Sequence, residues 1–146
     1  MRYNCEISIH KPLAEVIAKF NKPENLKHWQ PGFQSMEHLS GNPGEPGAKS
    51  KLLYVNGKRR VELIETITVN NLPHEFTAQY EAPGIWNSVR NLFSEPSPGI
   101  THWESQIEFK LSGFMIFLGI IFPGAFKKQS LKFMQLNKKS YWFVYF

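Results

Sequence analysis

The first 30 residues carry two hydrophobic periods, one typical of a strand and one typical of a helix. Residues 2–9 alternate apolar and polar side chains, as a half-buried strand does. After Pro12, apolar residues recur at helical spacing as far as Phe20. Pro23 ends that helix and opens a second short one, Glu24 to Trp29. The pattern therefore predicts a strand followed by two short helices.

The middle of the chain consists of alternating segments separated by turn signals. Asn56-Gly57 is the strongest of these signals, because this dipeptide favours a two-residue hairpin. Segments joined by such tight turns pair in an antiparallel sheet. The expected strands are 33–42, 50–55, 59–70, 75–82, 85–93 and about 101–110.

After Gly113 the period becomes helical. One stripe of this segment consists of Leu118, Phe122, Phe126, Gln129, Phe133 and Leu136. The lysines of the segment fall on the opposite arc, and Leu131 is the one apolar residue that points away from the stripe. A bend is possible at Pro123-Gly124. The order of elements predicts an α+β fold, in which a curved antiparallel sheet of about six to seven strands wraps around one long C-terminal helix.

Composition restricts the chemistry. The 146 residues fit one domain, 1–146, with a net charge of +5. All 12 acidic residues are glutamates and there is one cysteine, so sites built on aspartate, disulfide frameworks and cysteine-based zinc sites are excluded. The five histidines do not cluster, and we expect neither a metal nor another cofactor. No arginine-rich patch or known motif predicts binding to nucleic acid.

The N-terminus and the apolar stretch 114–126 indicate where in the cell the protein is expected. Residues 1–10 have no apolar core of a signal peptide. The apolar stretch 114–126 is too short for a transmembrane helix, which needs about 20 residues, and it contains Pro123. A cytoplasmic protein without a transmembrane segment is the simplest interpretation.

Several motifs together resemble one superfamily. Ile7-Ser-Ile-His-Lys-Pro12 resembles its first strand and helix start, and Pro23-Glu-Asn-Leu-Lys-His-Trp29 resembles its second helix. The glycine-rich segment 41–47 and Gly99-Ile-Thr101 also occur where the family has a loop and its last strand. The ordered set, over about residues 3–140, is similar to the START-like superfamily. This superfamily is also called SRPBCC or helix-grip, and its polyketide cyclase/dehydrase-like branch is the one resembled.

The resemblance implies a cavity between the sheet and the long helix. The aromatic candidates for its wall, each equally compatible with ordinary core packing, are Trp29, Phe33, Tyr54, Tyr80, Trp86, Trp103, Phe122 and Phe126. Three polar candidates are Glu65, Arg90 and Gln129. Glu65 is a possible buried carboxylate, although its facing is ambiguous because Ile64 lies on the other side of its strand. Arg90 either pairs across the sheet or anchors an acidic ligand, and Gln129 binds either a ligand or the backbone.

Three functions follow from this interpretation. The preferred one is binding of a small hydrophobic ligand, which is lipid-, quinone- or polyketide-like. The second is a cyclase- or hydratase-type enzyme that uses a buried carboxylate, with no catalytic residue assigned. The third is a protein-interaction module that uses the aromatic C-terminus, residues 140–146, where a homodimer is possible. The superfold hosts all three classes, so the fold alone does not select among them.

Overall fold

The computed structural model describes residues 1–113 and 124–140. In this part of the chain, the strands are β1 (Arg2–Ile9), β2 (Phe33–Ser40), β3 (Lys49–Asn56), β4 (Arg59–Asn71), β5 (Glu75–Ala82), β6 (Ile85–Ser97) and β7 (Ile100–Leu111). The helices are α1 (Leu13–Phe20), a 3-10 turn (Pro23–Asn25), α2 (Leu26–Trp29) and α3 (Ala125–Ser140).

All seven strands form one antiparallel sheet in the order β1-β7-β6-β5-β4-β3-β2. Strands β2 to β7 follow each other through hairpins, whereas β1 pairs with β7 from the other end of the sequence. The two short helices connect β1 with β2, which are the two edge strands. This arrangement confirms the predicted α+β architecture.

Alternation along the strands gives the sheet an inner face, which is the face toward the helices. In β7, Thr101, Trp103, Ser105 and Ile107 are buried, and the residues between them are more exposed. The same alternation in β1 buries Cys5 and Ile9. The core forms where these strands meet α1, α2 and α3, and it consists of Cys5, Ile9, Val16, Trp29, Phe93, Trp103, Ile107 and Met134.

Two bulges change the facing that the sequence pattern predicts. In β4 the register shifts between Ile67 and Val69, so Val69 pairs with Thr77 and is 37% exposed. Unbroken alternation predicts that Val69 shares the inner face with Glu65, and this prediction is wrong. A bulge adds one residue to the strand and so reverses the side of the residues that follow.

Strand β6 continues beyond the predicted end at Phe93. Its register shifts between Ser94 and Ser97, around Pro96, which has no backbone N–H for the ladder. The bulge puts Glu95 at the start of α1, where its Oε1 accepts a hydrogen bond from the Leu13 backbone N–H at 2.8 Å. This carboxylate caps α1, whose N-cap residue Pro12 provides no side-chain cap.

Helix α3 packs on β1 and on α2. Its most buried residue is Met134, and Leu131 also packs against the core, so the prediction that Leu131 points away is wrong. Gln129, expected in the middle of the apolar stripe, is exposed. In the described part of the chain this helix spans Ala125–Ser140, and the earlier members of the predicted stripe lie outside it. The predictions for Phe122, for a bend at Pro123-Gly124 and for the aromatic segment 141–146 concern residues outside those that the structure describes.

Candidate functional site

A cavity of about 860 Å³ lies between the inner face of the sheet and the helices. Its wall includes side chains from α1, α2, α3 and strands β2 to β7. The apolar part of the wall includes Phe20, Leu26, Trp29, Met36, Leu52, Val61, Leu63, Ile67, Phe76, Ile85, Val89, Trp103, Ile107, Phe109, Phe126, Phe133 and Met134. The volume and the mostly apolar wall match those of small-molecule sites, which measure about 300–1,000 Å³.

A row of polar side chains crosses this wall at one level of the sheet. Ser50 pairs with Glu65, Glu65 with Tyr80, and Tyr80 with Asn87 in the strand register. Directly opposed residues on neighbouring strands have Cβ atoms only about 5 Å apart, so their side chains are neighbours. All four line the cavity, and His38 extends the row onto β2. We call Ser50, Glu65, Tyr80 and Asn87 the polar row.

Glu65 is the acidic residue of the polar row and is 7% exposed. Burial raises the pKa of its carboxyl group, because the charged form loses its hydration, and a hydrogen bond with Tyr80 offsets part of that rise. Burial also raises the pKa of Tyr80 well above its usual value, and the Glu65 charge adds to this. The described residues place no cation in an ion pair with Glu65. The site thus favours the neutral form of the Glu65 carboxyl group more than water does.

Tyr54 extends this polar region toward α2. Its hydroxyl donates a hydrogen bond to Gln30 Oε1, which follows directly after α2. Burial raises the pKa of Tyr54, and the nearby Glu65 charge raises it further. Both tyrosines therefore remain neutral hydrogen-bonding groups at ordinary pH.

A second polar cluster lies farther along β6. Asn91 is 6% exposed, and its Oδ1 accepts hydrogen bonds from Trp103 Nε1 at 2.9 Å and from Ser105 Oγ at 2.6 Å. Ser105 and Asn91 are register partners, so the two side chains lie side by side. Asn91, Trp103 and Ser105 all line the cavity.

The structure brings most of the predicted site residues to the cavity. The predicted residues that line it are Trp29, Tyr54, Glu65, Tyr80, Trp103, Phe126 and Gln129. The ambiguity about Glu65 disappears, because Leu63, Glu65 and Ile67 all line the cavity. Ligand binding by these residues remains a prediction.

Three predicted residues lie elsewhere. Arg90 is on the outer face, where its Nε and Nη2 donate to Glu75 Oε1 at 2.8 Å and Oε2 at 3.1 Å, so it has a surface partner instead of a cavity ligand. Trp86 is on the same face, with Lys110 Nζ 4.5 Å from its ring centroid. Both have even numbers in β6, whereas the cavity side of that strand has the odd numbers. Phe33 packs its ring edge-on against Tyr54 at 5.8 Å and does not reach the cavity.

The sequence interpretation missed Asn91 and Ser50 as candidates. Asn91 lies two residues before Phe93 and two after Val89, so alternation alone puts it on the inner face. The signal was a short polar residue within an apolar row, which is costly to bury without partners. For Ser50 the signal was weaker, because its importance comes from its register with Glu65.

Metal sites and membrane-spanning helices are the two other features considered in the described part of the chain. Within residues 1–113 and 124–140, no three histidine, cysteine or acidic side chains come together to hold a metal ion. The helices in the same ranges include none that is long and apolar enough to cross a membrane.

Comparison with protein-family models gave no match, and comparison with curated protein sequences gave none either. Solved structures do match. A conserved protein from Geobacillus kaustophilus has a TM-score of 0.79 and 18% identity, over 96% of this chain and 94% of that one. The Zhui aromatase/cyclase from a Streptomyces species has a TM-score of 0.73 and 9% identity, over 96% and 92%.

A third match is the norcoclaurine synthase from Thalictrum flavum, solved in complex with dopamine and hydroxybenzaldehyde. Its TM-score is 0.69 and its identity 15%, over 95% of this chain and 84% of that one. At such low identities the likeness concerns the fold alone. The order of elements, the seven-stranded sheet and the packing of α3 agree with it. This chain therefore has the START-like, SRPBCC helix-grip fold that its sequence motifs predict.

Proposed function

We propose that this protein binds a small hydrophobic molecule in the cavity between the sheet and α3. The observation that supports this most is the cavity of about 860 Å³ itself, with its mostly apolar wall and a few fixed polar groups. A lipid-, quinone- or polyketide-like compound has the matching chemistry, since each combines a large apolar surface with few oxygen atoms. The alternative of a protein-interaction module has less support, because an interior without a cavity would favour it.

The test is native mass spectrometry of the gently purified protein, followed by solvent extraction and identification of any released compound. We expect a near-unit ratio of one apolar compound. Binding is then measured with anilinonaphthalene sulfonate, whose fluorescence rises in apolar sites.

Two matched variants connect binding with the cavity. Val89 lines the cavity, whereas Ser88 is the preceding residue of β6 and faces outward between Gln79 and Glu108. Val89→Trp takes up part of the cavity and should weaken probe binding, while Ser88→Trp should leave it unchanged. Equal binding by both variants would place the probe outside the cavity and contradict the proposal.

Glu65 supports a second candidate, an enzyme that moves a proton. A buried carboxyl group that faces a cavity and contacts a second polar group, Tyr80, is what general acid–base catalysis needs. In its ionised form Glu65 accepts a proton from a carbon next to a carbonyl, and in its neutral form it returns the proton to the resulting enolate. The aromatase/cyclase and the synthase among the matching structures show that the fold accommodates enzymes.

Deuterium exchange separates the enzyme from the carrier. The compound recovered from the protein is incubated in heavy water with wild type and with Glu65→Gln, and its mass is followed. An enzyme incorporates deuterium faster with wild type than with the variant. A carrier leaves the mass unchanged with both proteins, although both still bind the compound.

A further inference from the structure

Asn91 has a hydrogen-bonding group on the cavity wall that the described residues leave unused. Trp103 Nε1 is a donor only, so the Asn91 atom that it contacts at 2.9 Å must be the oxygen. Ser105 Oγ donates to the same oxygen. The orientation of the amide is therefore determined by its partners, and Nδ2, with two hydrogens, lies at the other end, away from β7.

No residue within 1–113 and 124–140 accepts a hydrogen bond from Asn91 Nδ2. The residue paired with Asn91 on β5 is Phe76, whose ring has no lone pair to offer. Asn91 is only 6% exposed, so bulk water is largely excluded from its side chain. Buried donors are nearly always satisfied, so a donor without a partner among the described residues calls for a further acceptor.

Asn87, the other asparagine of β6 that lines the cavity, differs from Asn91 in burial. Asn87 lies four residues earlier on the same strand, or about 13 Å away at the usual rise of a strand. It is half-buried, so water can satisfy its amide. Of these two asparagines, Asn91 is therefore the one whose amide hydrogens need an acceptor from a ligand.

Aromatic rings surround the Asn91 end of the cavity. Phe20 contacts Phe76 at 5.7 Å and Trp103 at 5.7 Å, both edge-on, and Trp29 contacts Trp103 at 6.2 Å. All four of these side chains line the cavity. Rings in such edge-on arrangements leave faces and edges that a further flat ring can contact favourably.

We propose that the cavity binds a planar aromatic ketone or quinone whose carbonyl oxygen accepts a hydrogen bond from Asn91 Nδ2. This inference rests on the proposed binding function and specifies its ligand class. It selects the quinone-like and aromatic polyketide-like compounds over simple lipids, because a flexible acyl chain would leave the aromatic end of the cavity poorly filled.

The test compares fluorenone with fluorene, two planar compounds of nearly equal shape that differ by one carbonyl oxygen. Affinities are measured by displacement of anilinonaphthalene sulfonate from wild type, Asn91→Leu and the control Ser88→Leu, which lies on the outer face of the same strand. We expect wild type to bind fluorenone about tenfold more tightly than fluorene, the usual contribution of one buried hydrogen bond. Asn91→Leu should bind both equally, and Ser88→Leu should keep the preference.

A second measurement does not depend on how well Asn91→Leu folds. The side-chain amide signals of Asn91 in a proton–nitrogen NMR spectrum are assigned by their loss in Asn91→Asp, which keeps an acceptor for Trp103 and Ser105. Fluorenone should shift one of these proton signals of wild type downfield, and fluorene should not.

The outcomes separate this inference from the function on which it rests. If wild type binds both compounds equally, or if the preference survives in Asn91→Leu or disappears in Ser88→Leu, the inference is wrong while the binding function stands. If neither compound nor the fluorescent probe binds, the proposed function itself is contradicted, and the inference with it.

Discussion

Replacing Glu65 by glutamine should change how the stability of the protein depends on pH. The substitution keeps the size of the side chain and removes its ability to ionise. Glu65 is 7% exposed and lies in the polar row, where burial raises the pKa of its carboxyl group. Unfolding exposes the same group to water, where its pKa is about 4.3.

The sign and size of the effect follow from the two pKa values. Between the unfolded pKa and the raised folded pKa, the unfolded chain has lost its proton and the folded protein retains it. Stability therefore falls as the pH rises through this interval, by about 1.4 kcal/mol per pH unit for one group. Below about pH 4.3 the contribution is fully present, and above the folded pKa no more is lost. Glu65→Gln removes this dependence, so the free energy of unfolding of the variant should exceed that of wild type increasingly as the pH rises.

Urea denaturation of both proteins from about pH 5 to about pH 8 measures this difference. Glu62→Gln is the matched control. Glu62 is an exposed residue of the same strand, and Arg60 lowers its pKa, so it is ionised throughout this range. Its substitution should leave the slope of wild type unchanged. A constant difference between wild type and Glu65→Gln would show that Glu65 ionises as it does in water, and would refute the assignment of a raised pKa to this carboxyl group.

Three further predictions concern the framework of the site. Thr101 is fully buried and donates to the Lys11 carbonyl at 2.8 Å, so Thr101→Val should cost about 1–3 kcal/mol in urea denaturation, and an unchanged midpoint would contradict this. Tyr3 Oη lies 3.0 Å from Ser130 Oγ, and this hydrogen bond joins β1 to α3. Tyr3→Phe should lower the free energy of unfolding by about 1 kcal/mol and speed amide exchange in α3. Adding Ser130→Ala to this variant should cost little more, whereas full additivity of the two losses would mean that the bond is not formed in solution. Cys5 is 3% exposed with a pKa raised by burial, so dithiobis-nitrobenzoate should react with it only as fast as the protein opens, and rapid labelling of the folded protein would show that β1 is accessible.

The strands were predictable from the sequence because each is short, alternating and bounded by turn residues. The limits expected for β5, 75–82, agree with the structure. The end of β6 was not predictable in the same way, because Pro96 is typical of a turn. It lies in a bulge instead, and the added length puts Glu95 at the start of α1, a contact between residues 82 positions apart.

The side of a strand that lies on the inner face of the sheet was predictable only where the other side is clearly polar. In β7 the alternation gave the correct inner side from Thr101 to Phe109. In β4 both sides carry apolar residues, and the bulge between Ile67 and Val69 is not visible in the pattern. The position of Glu65 therefore depended on pairing with β3 and β5.

The sequence by itself determined the order of elements, the antiparallel hairpins and the fold, because these follow from local periodicity, turn residues and the need to bury apolar faces. It also restricted the chemistry through the absence of aspartate. Only the tertiary structure decided which side chains meet in the cavity. Strand register aligns Ser50, Glu65, Tyr80 and Asn87, and the contact with Trp103 orients Asn91. The physical reason is that a site of this kind depends on pairing between strands and on bulges, which reverse the facing of the residues that follow. Neither feature produces a periodic pattern in the sequence.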